Sequence, residues 1–340
     1  MSSRIDQERP RIVHVDVREE EKAAQPRKRY NIGSSIETSI EQTSEKVNWI
    51  AENRFGFATL TGLLMVPSQF LGTKAQRSGQ IIERAALNAG FKIERFDLPI
   101  DDNTSLHGVI YYPENWNQAD ETQCVLYHNP NAITVAGYFG GKSLNWTPAE
   151  ILKLAKCPLV MYDYRGTGLS SENGSCSSMQ FRPTYESIVV DGEAALRFAL
   201  KRFDMVKIVG SSLGGGVATI SLDRHLRKNP DDWIKVRLYN HDSFTNTARV
   251  VMPNWPKIAD WTGWALGGYL DAAAPMKNLI LKGIPVTVLC HRKDPVIPKG
   301  ARMAEFVATL PKSRNVSVIE SPLKEHATLS EDMARRLVRI

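Results

Sequence analysis

The chain has 340 residues, 42% of them hydrophobic and 24% charged, with a net charge of +6. That length fits one large domain, or one catalytic domain with an N-terminal extension, and the composition supplies a sizeable core rather than a disordered chain. The charge excess is thin: residues 1–30 carry eight Lys/Arg against six Asp/Glu, and residues 281–340 carry eleven against six. With no dense basic cluster interleaved with aromatics, no nucleic-acid partner is expected. A solvated basic face is the simpler reading, and weak attraction to an anionic membrane surface is the alternative.

The four cysteines, Cys124, Cys157, Cys176 and Cys290, form no C-x-x-C pair. Most sit in or beside apolar runs, where a free thiol behaves as a small hydrophobe, so a reduced chain without structural zinc is expected. Residues 1–29 are highly charged and lack the apolar core of a signal peptide. The longest apolar stretch, Phe55 to Val66, spans about a dozen residues before Pro67, short of the length needed to cross a bilayer core of about 30 Å. The expectation is a soluble, cytoplasmic protein.

Three regions follow from the patterning. Residues 1–30 read as a mobile charged tail. Residues 31–90 read as a helical N-terminal extension, with Ile36, Ile40, Val47 and Ile50 at roughly helical spacing. Its expected role is packing on the main domain; an in-plane membrane contact or a flap over the active site is the alternative. Residues 91–340 alternate short β-rich runs with helical ones. Strands are expected at 91–100, 105–113, 123–129, 158–164, 206–210, 236–242, 285–291 and 315–321. Helices are expected around 148–156, 184–203, 213–228, 244–280, 299–310 and 329–339. The first two strands follow one another directly and predict an antiparallel lead-in. The remainder predicts an α/β domain, a mostly parallel sheet of eight strands covered on both faces.

The sharpest chemical signal is Gly210-Ser211-Ser212-Leu213-Gly214, which fits G-x-S-x-G. It follows the β-branched run VKIV and opens the small-residue helix LGGGVATISL, so Ser212 falls on a strand-to-helix turn, with glycines permitting close approach on either side. A Gly/Ser-rich turn without chemistry is the bland alternative, and the strand and helix context argues against it. Ser211 is out of register and reads as structural.

A serine hydroxyl needs a base, and the base needs an orienting acid. Asp294 follows the strand PVTVLCH in the loop RKDPVIP, and His326 follows the next strand, NVSVIES, in the loop PLKEH. Loops at the carboxyl ends of parallel strands gather at one edge of the sheet. Taken singly, each would be an ordinary loop residue. Together, in the order Ser, Asp, His and one strand apart, they read as nucleophile, acid and base. Asp242, one strand earlier, is the substitute acid. His14, His107, His225 and His291 lack such placement. For the developing oxyanion, the N–H of Leu213 is one expected donor. The second comes from His128-Asn129-Pro130-Asn131-Ala132, where Pro130 has no N–H to give. Asn131 is the choice over Ala132, against the alternative of a plain Asn-Pro turn.

Four ordered segments carry a resemblance covering about residues 91–340. HNPNA (128–132), YDYRGTGLS (162–170), GSSLGG (210–215) and KDPVIP (293–298) resemble the oxyanion, fourth-strand, nucleophile-elbow and acid-loop motifs of serine hydrolases of the α/β-hydrolase superfamily, in the depalmitoylase-like and monoacylglycerol-lipase-like branches. The extension and the HNPN variant also resemble hydrolases of intracellular bacteria of the Chlamydia and Legionella type. The resemblance implies the α/β-hydrolase fold, cleavage of acyl esters or thioesters without a cofactor, and bracing of nearby loops by Asp163 and Arg165. For the narrower likeness, it also implies export to a host cell by a non-classical route. Asn129-Pro130 departs from the family's Gly-Asn or Gly-Gly and bears on the oxyanion loop's geometry. RGTGLSS (165–171) is not a dinucleotide motif, because Ser171 stands where the last glycine belongs.

Between the Asp242 and Val286 strands lie Trp255, Trp261 and Trp264. They read either as core aromatics of a crossover helix or as an apolar rim for an acyl chain, and Trp261 and Trp264 are the candidate substrate-binding residues. The leading functional expectation is a hydrolase of a lipid or other acylated small molecule. The competing one is a catalytically silent scaffold of the same fold, acting as a binding or effector protein.

Overall fold

A computed structural model describes residues 90–329 apart from 102–103, 114–115, 117–121, 132–134, 136–155, 172–182, 256, 259 and 262–269, together with residues 333 and 335. The tail and nearly all of the 31–90 extension, the helix expected near 148–156, Ala132 and Trp264 lie outside the described residues.

The expected strands all form: β1 (Lys92–Asp101), β2 (Thr104–Tyr112), β3 (Gln123–His128), β4 (Leu159–Tyr162), β5 (Met205–Ser211), β6 (Val236–His241), β7 (Val286–His291) and β8 (Val316–Ser321). They make one eight-stranded sheet in the order β1-β2-β4-β3-β5-β6-β7-β8. The lead-in is antiparallel, β1 to β2 and β2 to β4, and every pairing from β4 through β3 to β8 is parallel. Strand side chains alternate between two apolar clusters. Leu126, Val206 and Ile208 join one, whereas Val125, Tyr127 and Val209 join the other. Burial on both faces is why these strands read as near-continuous apolar runs.

Two long helices lie in the first cluster. Helix α1 (Tyr185–Arg202) begins with a capping box: Thr184 accepts from the Ser187 N–H, and the Ser187 side chain accepts from the Thr184 N–H. Its far end is tied to β1 by the Arg202 guanidinium forked on Glu94. Helix α2 (Leu213–Lys228) starts immediately after β5 and buries Val217, Ala218 and Leu222. The single helical stretch expected at 244–280 is instead broken. It gives a short α3 (Thr247–Val251), an irregular Met252–Trp255 segment, helical residues at 257–258 and 260–261, and α4 (Ala273–Leu281). Pro253 accounts for the break after α3, since it lacks an N–H and clashes with the preceding helical turn, and Pro256 lies outside the described residues. Helix α5 (Met303–Thr309) packs beside β7. Among the described residues no helix is long and apolar enough to cross a membrane.

His128 ends β3 in a fully buried setting, its Nδ1 2.8 Å from the Tyr162 hydroxyl. Burial pushes the imidazole down to about 3. An unfolded histidine titrates near 6.5, so below that pH the unfolded chain binds a proton that the folded chain does not. This histidine therefore favours folding at neutral pH, and the benefit is lost as pH falls from about 6.5 towards 3, by up to about 1.4 kcal/mol per pH unit. Urea unfolding of His128→Gln and wild type at pH 7 and pH 5 should show the gap between them narrowing by about 2 kcal/mol at the lower pH. A constant gap would mean that His128 does not set this dependence.

Candidate active site

Three strand ends supply the site. Ser212 sits between β5 and α2 with φ 51° and ψ −116°, a conformation that costs a non-glycine residue about 1–3 kcal/mol. Neighbouring bonds hold it there: its N–H donates to the His241 carbonyl at 2.8 Å, and its own carbonyl accepts from the Ser243 hydroxyl at 2.8 Å. Tight contact does the same. A Cβ on Gly210 would lie 2.2 Å from the Gly214 carbonyl oxygen, and one on Gly214 would lie 2.1 Å from that of His128. The Ser212 side chain does not cap α2, so its hydroxyl is left for another partner.

That partner is His326, whose Nε2 lies 2.9 Å from Ser212 Oγ. Its Nδ1 lies 2.8 Å from Asp294 Oδ2. An ionised carboxylate only accepts, so the Nδ1 carries the proton and Nε2 is left to accept from the serine hydroxyl. The other carboxylate oxygen of Asp294 accepts from the N–H groups of Val296 at 2.7 Å and Ile297 at 3.0 Å. Arg302 secures this loop, donating to the carbonyls of Ile297, Arg292 and Asp294. Nothing local in the sequence marks Arg302 for that work; its three acceptors become neighbours only when α5 docks.

Asp242 is buried beside this chain rather than in it. Its Oδ1 accepts from the His291 N–H at 2.8 Å, and its Oδ2 from His291 Nδ1 at 2.7 Å and the Ala327 N–H at 2.8 Å. Burial pushes this carboxyl up, but the neighbouring His241 and His291 outweigh it and hold the group well below the usual carboxylate range. His241, Asp242 and His291, and likewise Asp242, Asp294 and His326, offer ligand atoms within 4.8 Å of one another. The His291–Asp242 and His326–Asp294 contacts of 2.7 and 2.8 Å are hydrogen-bond distances.

Leu213 opens α2, so its N–H is one of the four that the helix leaves unsatisfied, at the positive end of the helix dipole. The end of β3 reaches this turn because Gly214 admits the His128 and Asn129 carbonyls. Asn129 is locked, donating through Nδ2 to the Tyr162 carbonyl and accepting at its own carbonyl from Tyr164. Asn131 follows, half-buried. Asp163 accepts from the Val135 N–H at 2.8 Å, and the guanidinium and N–H of Arg165 both bond Asp191, so these two residues do brace adjacent loops.

Trp261 is 66% exposed, and Trp255 61%. A shallow groove of about 480 Å³ is lined by Val251, Met252, Pro253, Asn254, Trp255 and Ile258, without Trp261. Of the two expected substrate-binding tryptophans, Trp261 thus lies on the surface outside the groove, and the unselected Trp255 lines it.

No protein-family model matches the sequence, and no curated protein matches it. Solved structures do. The Pyrococcus furiosus esterase Pf2001 is similar at 13% identity over 74% of this chain and 90% of that one, with a TM-score of 0.50. An esterase of Pyrobaculum calidifontis matches at 14% identity over 76% of this chain and 88% of that one, TM-score 0.45. Brefeldin A esterase, a bacterial homologue of human hormone-sensitive lipase, matches at 14% identity over 73% and 72%, TM-score 0.46. With its antiparallel lead-in, parallel sheet and serine turn after β5, the chain has the α/β-hydrolase fold.

Proposed function

We propose that this chain is a serine hydrolase that cleaves a carboxylic ester or thioester of a lipid or acylated molecule through an acyl-enzyme on Ser212. The observation that carries the reading is the unbroken Ser212–His326–Asp294 relay, at 2.9 and 2.8 Å, on a strained turn. In this reading His326 Nε2 takes the hydroxyl proton as Ser212 Oγ bonds to the acyl carbon. The carbonyl electron pair moves to oxygen, where the Leu213 and Asn131 N–H groups receive it. The C–O or C–S bond then breaks, and the leaving group takes the proton from His326. Water, deprotonated by the same histidine, releases the acid and restores the serine. Asp294 orients the ring and stabilises the imidazolium without taking the proton.

The proposed acyl chain lies along the segment after β6, where the groove at Trp255 and Ile258 supplies apolar surface and the exposed Trp261 adds to it, with Trp264 kept as a substrate-binding candidate on the sequence alone. A peripheral membrane contact of the 31–90 extension and a relation to the depalmitoylase-like branch belong to the same proposal. The test is fluorophosphonate labelling followed by peptide mapping, with p-nitrophenyl esters of increasing length. Label is expected on Ser212. Each added methylene should gain about 0.8 kcal/mol, roughly fourfold in kcat/KM, until the surface is filled. Trp261→Ala and Trp264→Ala should flatten that climb and spare acetate. A wild-type protein that neither labels nor turns over any ester would leave the silent-scaffold reading. A preference for acetate over hexanoate would remove the lipid-like substrate.

A further inference from the structure

Behind the relay lies a second acidic side chain that the reaction does not require but the geometry ties to it. Asp242 directly follows β6 with φ 42°, its side chain 1% exposed, and its N–H donates to the Leu289 carbonyl on β7. The three bonds its carboxylate accepts, two from His291 and one from the Ala327 N–H, come from chain positions 49 and 85 residues away. Ala327 directly follows His326 and itself holds φ 54°, left-handed backbone that alanine rarely adopts. Apart from the two bonds of the His326 ring itself, the other hydrogen bonds of this turn among the described residues are internal and long: Leu323 N–H to Ser321 Oγ and Thr328 Oγ1 to the His326 carbonyl, each 3.3 Å. The Asp242 bond is short, charge-assisted and reaches another strand.

We propose that Asp242 is a positioning residue for the base: clamped by His291, its carboxylate grips the Ala327 N–H and so fixes the turn that aims His326 at Ser212. The cluster is built backwards as well. His241 Nε2 stands 3.2 Å from Asp242 Oδ2, its Nδ1 is 3.1 Å from Ser211 Oγ, and that hydroxyl accepts from Tyr127 at 2.9 Å. Glu325 stands 3.9 Å from His291 Nε2 on the opposite side. Asp242, Asp294 and His326 present their polar atoms within 4.8 Å of one another, so a shift of Asp242 is felt directly at the relay. The out-of-register Ser211 acquires a role here, since it links the β3 tyrosine to the β6 histidine beside the clamp. An amide cannot replace this carboxylate, because three N–H donors face it and an Asn side chain has one acceptor atom to offer.

This inference rests on the reading of Ser212, His326 and Asp294 as an acyl-transfer relay, so its test includes a readout that needs no turnover. Asp242→Asn should lower kcat on p-nitrophenyl acetate by about 10²-fold with KM changed less than about twofold, because the base is mis-set while substrate contacts survive. In the proton spectrum, the far-downfield Nδ1 proton of the short His326–Asp294 bond should be lost or broadened in this variant and present in wild type. A wild-type kcat, or a wild-type downfield resonance in folded Asp242→Asn, overturns the proposal. If Asp242→Asn does not fold, His291→Asn and His291→Leu decide the matter, since the amide keeps a donor for Asp242 Oδ2 and leucine does not. The leucine variant should show at least tenfold lower kcat and a broader resonance; equality of the two variants in resonance overturns the clamp. If wild type itself shows no labelling or turnover, the hydrolase reading fails, and the resonance comparison still decides whether Asp242 sets His326.

Discussion

Replacing Ser212 or His326 with alanine should lower ester turnover by on the order of 10⁶, with the double variant scarcely worse than either single one. In the proposed mechanism the non-additivity follows from the geometry: the hydroxyl acts as a nucleophile only while Nε2 stands 2.9 Å away to take its proton, so losing either removes the same step. Asp294→Asn should cost less, on the order of 10⁴, because the ring remains but its tautomer is no longer specified. That cost should exceed the loss in Asp242→Asn, since Asp294 bonds the His326 ring and Asp242 only the backbone after it. The measurement is kcat/KM on p-nitrophenyl acetate with fluorophosphonate labelling in parallel. Label that persists on a different serine in Ser212→Ala would falsify the assignment of the nucleophile, and a greater loss from Asp242→Asn would move the acid to β6.

Strand positions and the meeting of three distant side chains are legible in the sequence because both depend on local rules. Runs such as VKIV and PVTVLCH are apolar on both faces, and a parallel sheet sends every following loop to one edge. Ser212, Asp294 and His326 can therefore be placed together before any register is known. The break after α3 is less legible, since the pattern of apolar residues carries on through Pro253 while the helical backbone cannot. Asp242 is visible as a carboxylate at a strand end, but not its partners. The Ala327 bond exists only because β6 and β8 flank β7, with Leu238 beside Val286 and Val286 beside Val316. Trp255 and Trp261 show the same limit. Tryptophan content marks a segment as apolar, but which indole lines a groove depends on where the broken helix turns.

The glycines of the serine turn carry the last large effect. Gly214 lies in the first turn of α2, and a methyl group there would stand 2.1 Å from the His128 carbonyl oxygen and 2.6 Å from that of Asn129. Both obstacles are backbone, at the end of a central strand, so neither can rotate aside as a side chain would. Either α2 withdraws from β3 or the β3 end is displaced, and Asn129 resists because Tyr162 and Tyr164 hold it from two sides. Gly214→Ala should therefore lower stability by about 3 kcal/mol or more, above the usual cost of overpacking. Any folded fraction should lose kcat as well, since the same displacement moves the end of β3 relative to Leu213, whose N–H and that of Asn131 are the proposed oxyanion donors. Gly300→Ala is the matched control: nothing lies within 4 Å of its added methyl group, and its stability should stay within about 0.5 kcal/mol of wild type. Urea unfolding of the two variants beside wild type measures the difference. Equal midpoints for both would mean that the close approach of α2 to β3 does not constrain this turn, and that the Gly210–Gly214 spacing marks sequence rather than geometry.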